Sequence, residues 1–338
     1  MSHRVRQRMT IPSVSVVIPT FQRPELLIRC LRALTLQTLA KERFEVLVVD
    51  DGHSDEIREL VERASAEQPL GFLRYLRPSH GKGPAAARNC GWHAARAEII
   101  AFTDDDTLAA RDWLAQGLHA MRLHGWAAMA GRVVVPSPAN RLGTRPTDHE
   151  RMTQGLESAA FVTANAFVRK SALAQVQGFD ERFQRAWRED ADLQFRLEAA
   201  GASLGRCEAA VVRHPVRPER WGVSLRQQKN VYFDALLYRK HPARYRSEIR
   251  ARPPWDYYAI ASLTGLALAL AAAGAWPAAL ACLVAALALA LAFAVRRLRT
   301  TSHSPAHVAE MLLTSLAIPF LSVYWRLRGA WHFRVWFL

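Results

Sequence analysis

"EIIAFTDDDT", residues 98–107, is the stretch on which the reading of this chain turns. Glu98 to Phe102 ends in an apolar run of the length and type of a buried strand, and Asp104, Asp105 and Asp106 emerge together at its carboxyl end. Neighbouring carboxylates resist ionisation unless a cation or hydrogen-bond donors hold the charged form. Either something positive sits against the three acids, or they form a solvated turn ahead of a helix starting near Arg111, where acids are also common. These residues alone leave both open.

Upstream, strand-like and helix-like segments alternate. "VSVVIP" (14–19) precedes "PELLIRCLRALTLQ" (24–37), which has helical periodicity and Pro24 suited to a first turn. "FEVLVV" (44–49) ends in "DDGHSDE", with a helix expected from Asp55; "GFLRYL" (71–76) is a weaker strand and "GPAAARNCGWHAA" (83–95) is helical. Such alternation predicts a parallel sheet covered on both faces. Ligands of these sheets bind beyond the carboxyl ends of the strands. The polar residues fall there: Thr20, Phe21 and Arg23 after the first strand, Asp50 and Asp51 after the second, the three aspartates after the fourth.

Past Asp106 the pattern loosens. "WAAMAGRVVVP" (126–136) and "AAFVTANAFVR" (159–169) read as strands, separated by "SPANRLGTRPTDHERMTQGLES" (137–158), a polar stretch long enough to be a lid, an acceptor-contacting loop or a plain excursion. "AWREDADLQFRLEAAG" (186–201) reads as a helix from Glu189 with Leu193, Leu197 and Ala200 on its apolar face. First-turn acids are favoured by the helix dipole, so helix logic alone accounts for Glu189, Asp190 and Asp192. "VVRHP" ends a strand and leaves His214 just beyond it, where a lone histidine is by default structural. Arg88 could fork onto a phosphate or a carboxylate, or make a surface salt bridge.

The formal charge of +15 over 338 residues implies an anionic partner. No helix-turn-helix or aromatic-rich RNA motif is present, which sets nucleic acid aside. Cys30, Cys90, Cys207 and Cys282 have no metal-like spacing and read as reduced structural thiols. Residues 259–295 carry no charge, and Pro253 and Pro254 stop any helix arriving from upstream. The organisation expected is a basic extension (1–12) without the apolar core of a signal peptide, a soluble head (13–217), a basic amphipathic interfacial helix and linker (218–256), and a membrane part (257–338). The uncharged run suffices for two spans of roughly 18 to 20 residues, turning near Trp276 and Pro277. Arg252, Arg296, Arg297 and Arg299 flank them, so the positive-inside rule predicts a multi-pass protein of the cytoplasmic (inner) membrane with both hairpin ends and the head in the cytoplasm. Residues 308–325 read as a third span or a re-entrant segment, because Glu310, Pro319, Arg326, Arg328 and Arg334 interrupt or trail them.

Taken in order, "VVIPTFQRPELLIRCLRALTLQ", "VLVVDDGHSDE", "GPAAARNCGWHAARAEIIAFTDDDT", "GFDERF" and "EDADLQFRLEAAG" resemble the family 2 glycosyltransferases over about residues 13–215. The resemblance implies the GT-A fold, a Rossmann-like and mostly parallel α/β sheet, here followed by α-helical transmembrane segments. It implies inversion at the sugar carbon and a nucleotide-sugar donor. Pro19, Thr20, Phe21 and Arg23 match the first loop, where an aromatic ring packs on the nucleotide base; Phe21 stands where Tyr is usual, so a hydroxyl contact is absent. Asp51 matches the acid that hydrogen-bonds the base, and Arg88 the arginine beside the diphosphate. The aspartates match the DxD-type motif: Asp106 as metal ligand, Asp104 on sugar or ribose, Asp105 with them in the nucleotide-sugar site. His214 matches a further ligand of a Mg or Mn ion. Asp190 matches the catalytic base, Glu189 its support, and Trp187 and Arg188 suit the acceptor.

Three other readings compete with this one. A nucleotidyltransferase lacks here the lysine- and glycine-rich first loop that handles a triphosphate. A processive polysaccharide synthase would carry Q-x-x-R-W before the membrane, where this chain has "LRQQKNVYF". A non-catalytic membrane-attached binding protein would not need acids at every expected position. A single-addition transferase acting on a lipid-linked glycan or glycolipid fits best. The sequence names neither nucleotide, sugar nor oligomeric state.

Overall fold

The computed structural model describes residues 11–137 and 143–338. The basic extension expected over 1–12 lies, all but its last two residues, outside them. The chain divides into two compact units, one comprising residues up to Val135 and Leu156–Pro215, the other Pro136–Gly155 and Val216–Leu338.

The first unit is built on an eight-stranded sheet of order β3-β2-β1-β4-β7-β6-β8-β5. Strands β1 (Val14–Thr20), β2 (Phe44–Asp50), β3 (Leu73–Leu76) and β4 (Ile99–Phe102) pair in parallel. Beyond β4 the sheet is mixed. β7 (Ala166–Arg169) runs antiparallel to β4 and to β6 (Ala128–Val134), β6 is parallel to β8 (Leu204–Arg213), and the two-residue β5 (Leu108–Ala109) is antiparallel to β8.

Period-two alternation sends Val14, Val16 and Ile18 of β1 to one face of the sheet and Val17 to the other. Helix α1 (Pro24–Thr35) covers the first face with Leu27, Cys30, Leu31 and Leu34, spaced i, i+3, i+4 and i+7. Helices α2 (Asp55–Ala66) and α4 (Trp113–His124) add Ile57, Val61, Trp113 and Leu118 to this layer. Helix α3 (Pro84–Ala94) covers the second face. It lies so close to β1 that a Cβ on Gly91 would fall 2.3 Å from Val17 Cγ1; only glycine fits at that crossing.

Three expectations are corrected here. Residues 159–169 are not one strand: Thr163–Asn165 form a 3-10 turn, because the Asn165 side chain is buried and donates to the carbonyls of Arg132 and Ala210, both at 2.9 Å. In α7 (Glu189–Ala199), which follows α6 (Lys170–Gln175), Phe195 rather than Ala200 completes the buried face; Ala200 is the exposed C-cap. Residues 148–154, expected within a polar loop, are helix α5 (Asp148–Gln154), started by a capping box in which Thr147 Oγ1 accepts from Glu150 N (3.2 Å) and Glu150 Oε2 from Thr147 N (2.6 Å). The T-x-x-E signature was present in the sequence.

In the second unit, the basic stretch expected as one amphipathic helix is instead α8 (Val223–Gln227), a 3-10 turn and α9 (Val231–Lys240), followed after Pro242 by short turns. Phe233, Leu236, Leu237 and Tyr245 are buried, so this segment is a packed element. Helices α10 (Trp255–Ala272), α11 (Trp276–Leu298) and α12 (Pro305–His332) are each long and apolar enough to cross a membrane. α10 and α11 pack against each other as a hairpin, and Ala267, Ala279, Ala286 and Ala290 are buried among the helices. An Asp256–Arg296 ion pair closes its base. α12 runs unbroken through Pro319.

Candidate active site

The parallel pairing of β1 with β2 and β4 brings the ends of all three strands to one edge of the sheet. The acid loop leaves β4 there. Asp105 turns inward: Thr20 Oγ1 donates to its Oδ2 (2.8 Å) and Arg23 Nη1 to its Oδ1 (3.3 Å). Burial nevertheless pushes its carboxyl up to about 6, against the pull of Arg23 and with the neighbouring Asp106 adding to the rise. The loop is held from beneath by Thr103 and Thr107, whose hydroxyls lie 2.7 Å apart; Thr107 also donates to Asp104 O (2.8 Å). The helix-cap explanation for the three acids fails, because α4 begins at Trp113 and its N-cap is Asp112. Cys30 lies under the same loop; burial first, then the aspartates, raise its thiol far above the usual range and leave it unreactive.

Arg88 reaches the loop from the other side. Its guanidinium is 2% exposed and forks, Nη2 donating to Asp104 Oδ1 and Nη1 to Glu189 Oε1, each at 2.9 Å. It thus ties the acid loop to the first turn of α7, which lies 101 residues further along the chain. Burial opposes its charge, but Asp104 and Glu189 outweigh burial and hold the cation. Glu189 behaves oppositely: burial and then Asp190 raise its carboxyl, more than Arg88 lowers it. Asp190 is raised as well, again chiefly by burial. Ala191 N–H, Arg88 and Arg188 pull it down, but burial prevails. Arg88 thus stays charged, while burial raises the proton affinity of both Glu189 and Asp190.

Asp190 is only partly buried, and its Oδ1 accepts from Ala191 N at 2.8 Å. The residue before the helix, Arg188, sits at φ 76°, a left-handed conformation uncommon outside glycine. Its guanidinium lies 4.6 Å from the Trp187 ring centre. Both residues are partly exposed beside the acids.

Asp104, Asp106 and His214 offer ligand atoms that all lie within 4.8 Å of one another. His214 Nε2 is 3.4 Å from Asp106 Oδ1, and the histidine is carried there by β8, its backbone N–H donating to Val134 O (2.8 Å). Two carboxylates and an imidazole suit a divalent cation, and the majority of hard oxygen donors favours Mg or Mn. Charge points the same way, since Asp104, Asp105, Asp106, Glu189 and Asp190 gather around Arg23, which pairs with Asp105, and Arg88, which pairs with Asp104 and Glu189.

At the β1 and β2 ends, the Phe21 ring is 51% exposed beside Gly52, and Pro19 precedes it at the strand end. The Asp51 carboxylate accepts from Gly83 N with both oxygens (2.9 Å), while the buried Asp50 accepts from Gly52 N, Ser54 N and Tyr75 Oη. Sequence reasoning missed Phe179, whose ring lies 5.7 Å from the Arg88 guanidinium, and the Thr103–Thr107 clamp. Phe179 stands in the GFDERF motif, which marked its position without its role, and the threonine pair has no signature in a single sequence. Asn89 pins Phe179 in place, donating to its carbonyl and accepting from its N–H.

Two family descriptions match the chain, Glycosyl transferase family 2 over residues 15–179 and Glycosyl transferase family group 2 over residues 99–324. The glycosyltransferase AglE of Haloferax volcanii is 31% identical over 226 residues, covering 66% of this chain and 72% of that protein. Validoxylamine A glucosyltransferase of Streptomyces hygroscopicus subsp. limoneus is 30% identical over 249 residues, but the match spans only 51% of its length and 63% of this chain. Among solved structures, the mannosyltransferase PcManGT from Pyrobaculum calidifontis, in complex with GDP-Man and Mn2+, superposes with a TM-score of 0.59 at 19% identity, over 94% of this chain and 88% of that one. That likeness is one of fold, the GT-A type followed by long apolar helices. With a family match over most of its length and a relative aligned across the greater part of both proteins, the chain belongs to glycosyltransferase family 2 and transfers sugar from a nucleotide-sugar donor.

Proposed function

We propose that the protein is a membrane-anchored, inverting, metal-dependent transferase that adds one sugar to a hydroxyl of a lipid-linked glycan or glycolipid at the cytoplasmic face of the inner membrane. The observation that carries this reading is the Arg88 fork, because one buried guanidinium joins the acid loop to the acids that open α7. Departure of the nucleoside diphosphate and deprotonation of the acceptor are thereby held in one rigid frame.

In this reading Phe21 offers its exposed ring to the base, with Pro19, Thr20, Arg23 and Asp51 shaping the loop around it. Asp104 and Asp105 border the nucleotide sugar. Asp106 and His214, with Asp104 beside them, would hold Mg or Mn, which when bound neutralises charge developing on the diphosphate. Arg88 adds a fixed positive charge on the same side. Asp190 accepts the proton of the attacking hydroxyl, a task that its raised affinity for a proton suits, and Glu189 holds it in place. Trp187 offers a ring face to an acceptor sugar and Arg188 a polar rim. The α10–α11 hairpin confines the enzyme to lipid-borne acceptors, in keeping with its exposed Leu268, Leu280, Val284, Leu287 and Leu291.

The direct test is release of nucleoside diphosphate from a panel of sugar nucleotides, with and without extracted membrane lipid as acceptor. Release that needs lipid supports the assignment; equal release without lipid argues against a lipid-borne acceptor. For the metal, Asp106→Asn should abolish most of the gain in nucleoside diphosphate affinity that Mn2+ produces in the unmodified protein. Calorimetry showing the same affinity in chelator as in Mn2+ would remove the ion from the site.

A further inference from the structure

We propose that α12, although long and apolar enough to cross a membrane, does not cross it but lies in the plane of the lipid headgroups, across the base of the α10–α11 hairpin. The proposal rests on the reading of that hairpin as the membrane anchor. At 28 residues α12 is about 42 Å long at 1.5 Å per residue. In a three-span bundle α12 would run parallel to α10, so equal depths would face each other. They do not. Tyr258 lies three residues into α10 and Arg326 twenty-one residues into α12, an offset of about 27 Å, close to the thickness of a hydrocarbon core. Yet Arg326 is an electrostatic neighbour of Tyr258, together with Arg246 and Arg250. At the other end of the hairpin, Arg297 of α11 donates to Thr314 Oγ1 (2.8 Å) and Ser315 Oγ (3.0 Å) of α12. One foot of the hairpin is therefore bonded to α12 at Thr314 and Ser315, and the other lies within electrostatic reach of Arg326, about 11 to 12 residues further along.

The second observation is what runs alongside. Glu310, near the start of α12, accepts from Gly222 N (2.7 Å). Further on, Gly329 packs against α9 so tightly that a Cβ there would sit 2.5 Å from Tyr232 O. Past its end, Arg239 donates to Phe333 O (2.7 Å) and Arg246 to Leu338 O (3.3 Å). From first turn to last, α12 is accompanied by residues 222–246, which carry Arg226, Gln227, Gln228, Lys229, Arg239, Lys240 and Arg244. A segment so charged cannot be drawn into hydrocarbon with its neighbour.

The opposite face of α12 is apolar and exposed: Leu313, Leu316, Phe320, Leu327 and Trp331 recur every three to seven residues along one side, and Trp336 follows. An apolar exposed stripe ending in Trp331, with the basic residues of 222–246 along the opposite side, is the pattern of a helix seated at the headgroup boundary. The occupant of this face is the lipid bilayer, continuous with the lipid around the hairpin.

The test is cysteine labelling of the full-length protein in membranes, starting from a variant whose four cysteines are replaced, with Ala273→Cys, His303→Cys and Arg334→Cys made singly. A membrane-impermeant thiol reagent should reach His303→Cys and Arg334→Cys from the same side and Ala273→Cys from the other. Labelling of Arg334→Cys together with Ala273→Cys makes α12 a third span and overturns the proposal. Labelling of Ala273→Cys together with His303→Cys overturns the hairpin itself, a separate failure. Depth is then read from a fluorophore on Leu313→Cys, Phe320→Cys and Leu327→Cys with quenchers placed shallow and deep in the acyl chains. Shallow quenching at all three positions is expected; a maximum of deep quenching at Phe320→Cys alone means that α12 dips into the bilayer and the in-plane reading is wrong.

Discussion

Asp190→Asn should lower sugar transfer by on the order of 10² to 10⁴, the usual worth of general-base assistance, while donor binding and thermal stability stay close to normal. Asn matches Asp in size and still caps a helix, and the hydrogen bond from Ala191 N needs only an acceptor oxygen. If the carboxylate were there for the helix dipole alone, its removal would cost about 0.3 to 1 kcal/mol of stability and leave turnover intact. The two roles thus move different quantities. Asp192, two residues along the helix, is no neutral control despite its lack of a chemical assignment, since it is fully buried and ion-paired with Arg196 at 2.8 Å; Asp192→Asn is expected to lose stability first. Burial holds the Asp190 carboxyl above its ordinary range, so the pH profile of kcat/KM should rise as that proton is lost, and the residual rate of Asp190→Asn should lack this rise. Near-normal turnover by Asp190→Asn, or a loss explained wholly by unfolding, removes the base from this position.

Arg88→Gln should be the most damaging change to stability in the first unit. It strips the shared cation from Asp104 and the buried Glu189 at once, and removing one partner of a buried pair typically costs about 3 to 5 kcal/mol. A fall of the unfolding midpoint on the order of 10 °C is expected for a unit of this size. The loss has a pH signature. Without the guanidinium, Glu189, whose proton affinity burial already raises, would hold its proton more tightly in the folded state than in the unfolded chain. A carboxyl raised on folding favours the folded state in acid and disfavours it as pH climbs past its unfolded value. The gap between Arg88→Gln and the parent protein should therefore be wider at pH 8 than at pH 5.5. Midpoints that differ by the same amount at both values, or by under a degree at either, would show that Arg88 does not hold this charge cluster together.

The parts of the fold legible from sequence are those set by local periodicity. The β1, β2 and β4 runs, the first-turn proline of α1 and the start of α7 at Glu189 follow from apolar spacing and helix-end chemistry that act over a few residues. The misreadings arose where tertiary contacts overrode that local logic. Asn165 leaves its strand because two distant carbonyls and the Trp113 indole claim its side chain. Residues 221–254 look amphipathic, yet Gly222 at positive φ and Pro242 break them into pieces that bury Phe233 and Tyr245.

By itself the sequence determined the order of elements, the kinds of polar group placed at strand ends and the stretches apolar enough to leave water, because each depends on residues adjacent in the chain. Only the tertiary structure decided which of those groups meet: that Arg88 spans from Asp104 to Glu189, that His214 arrives beside Asp106, and that Arg297 at the foot of α11 bonds Thr314 and Ser315 of α12. Those partners lie far apart in sequence, and what joins them is sheet pairing and helix packing, whose register depends on the whole set of long-range contacts and is written in no local pattern.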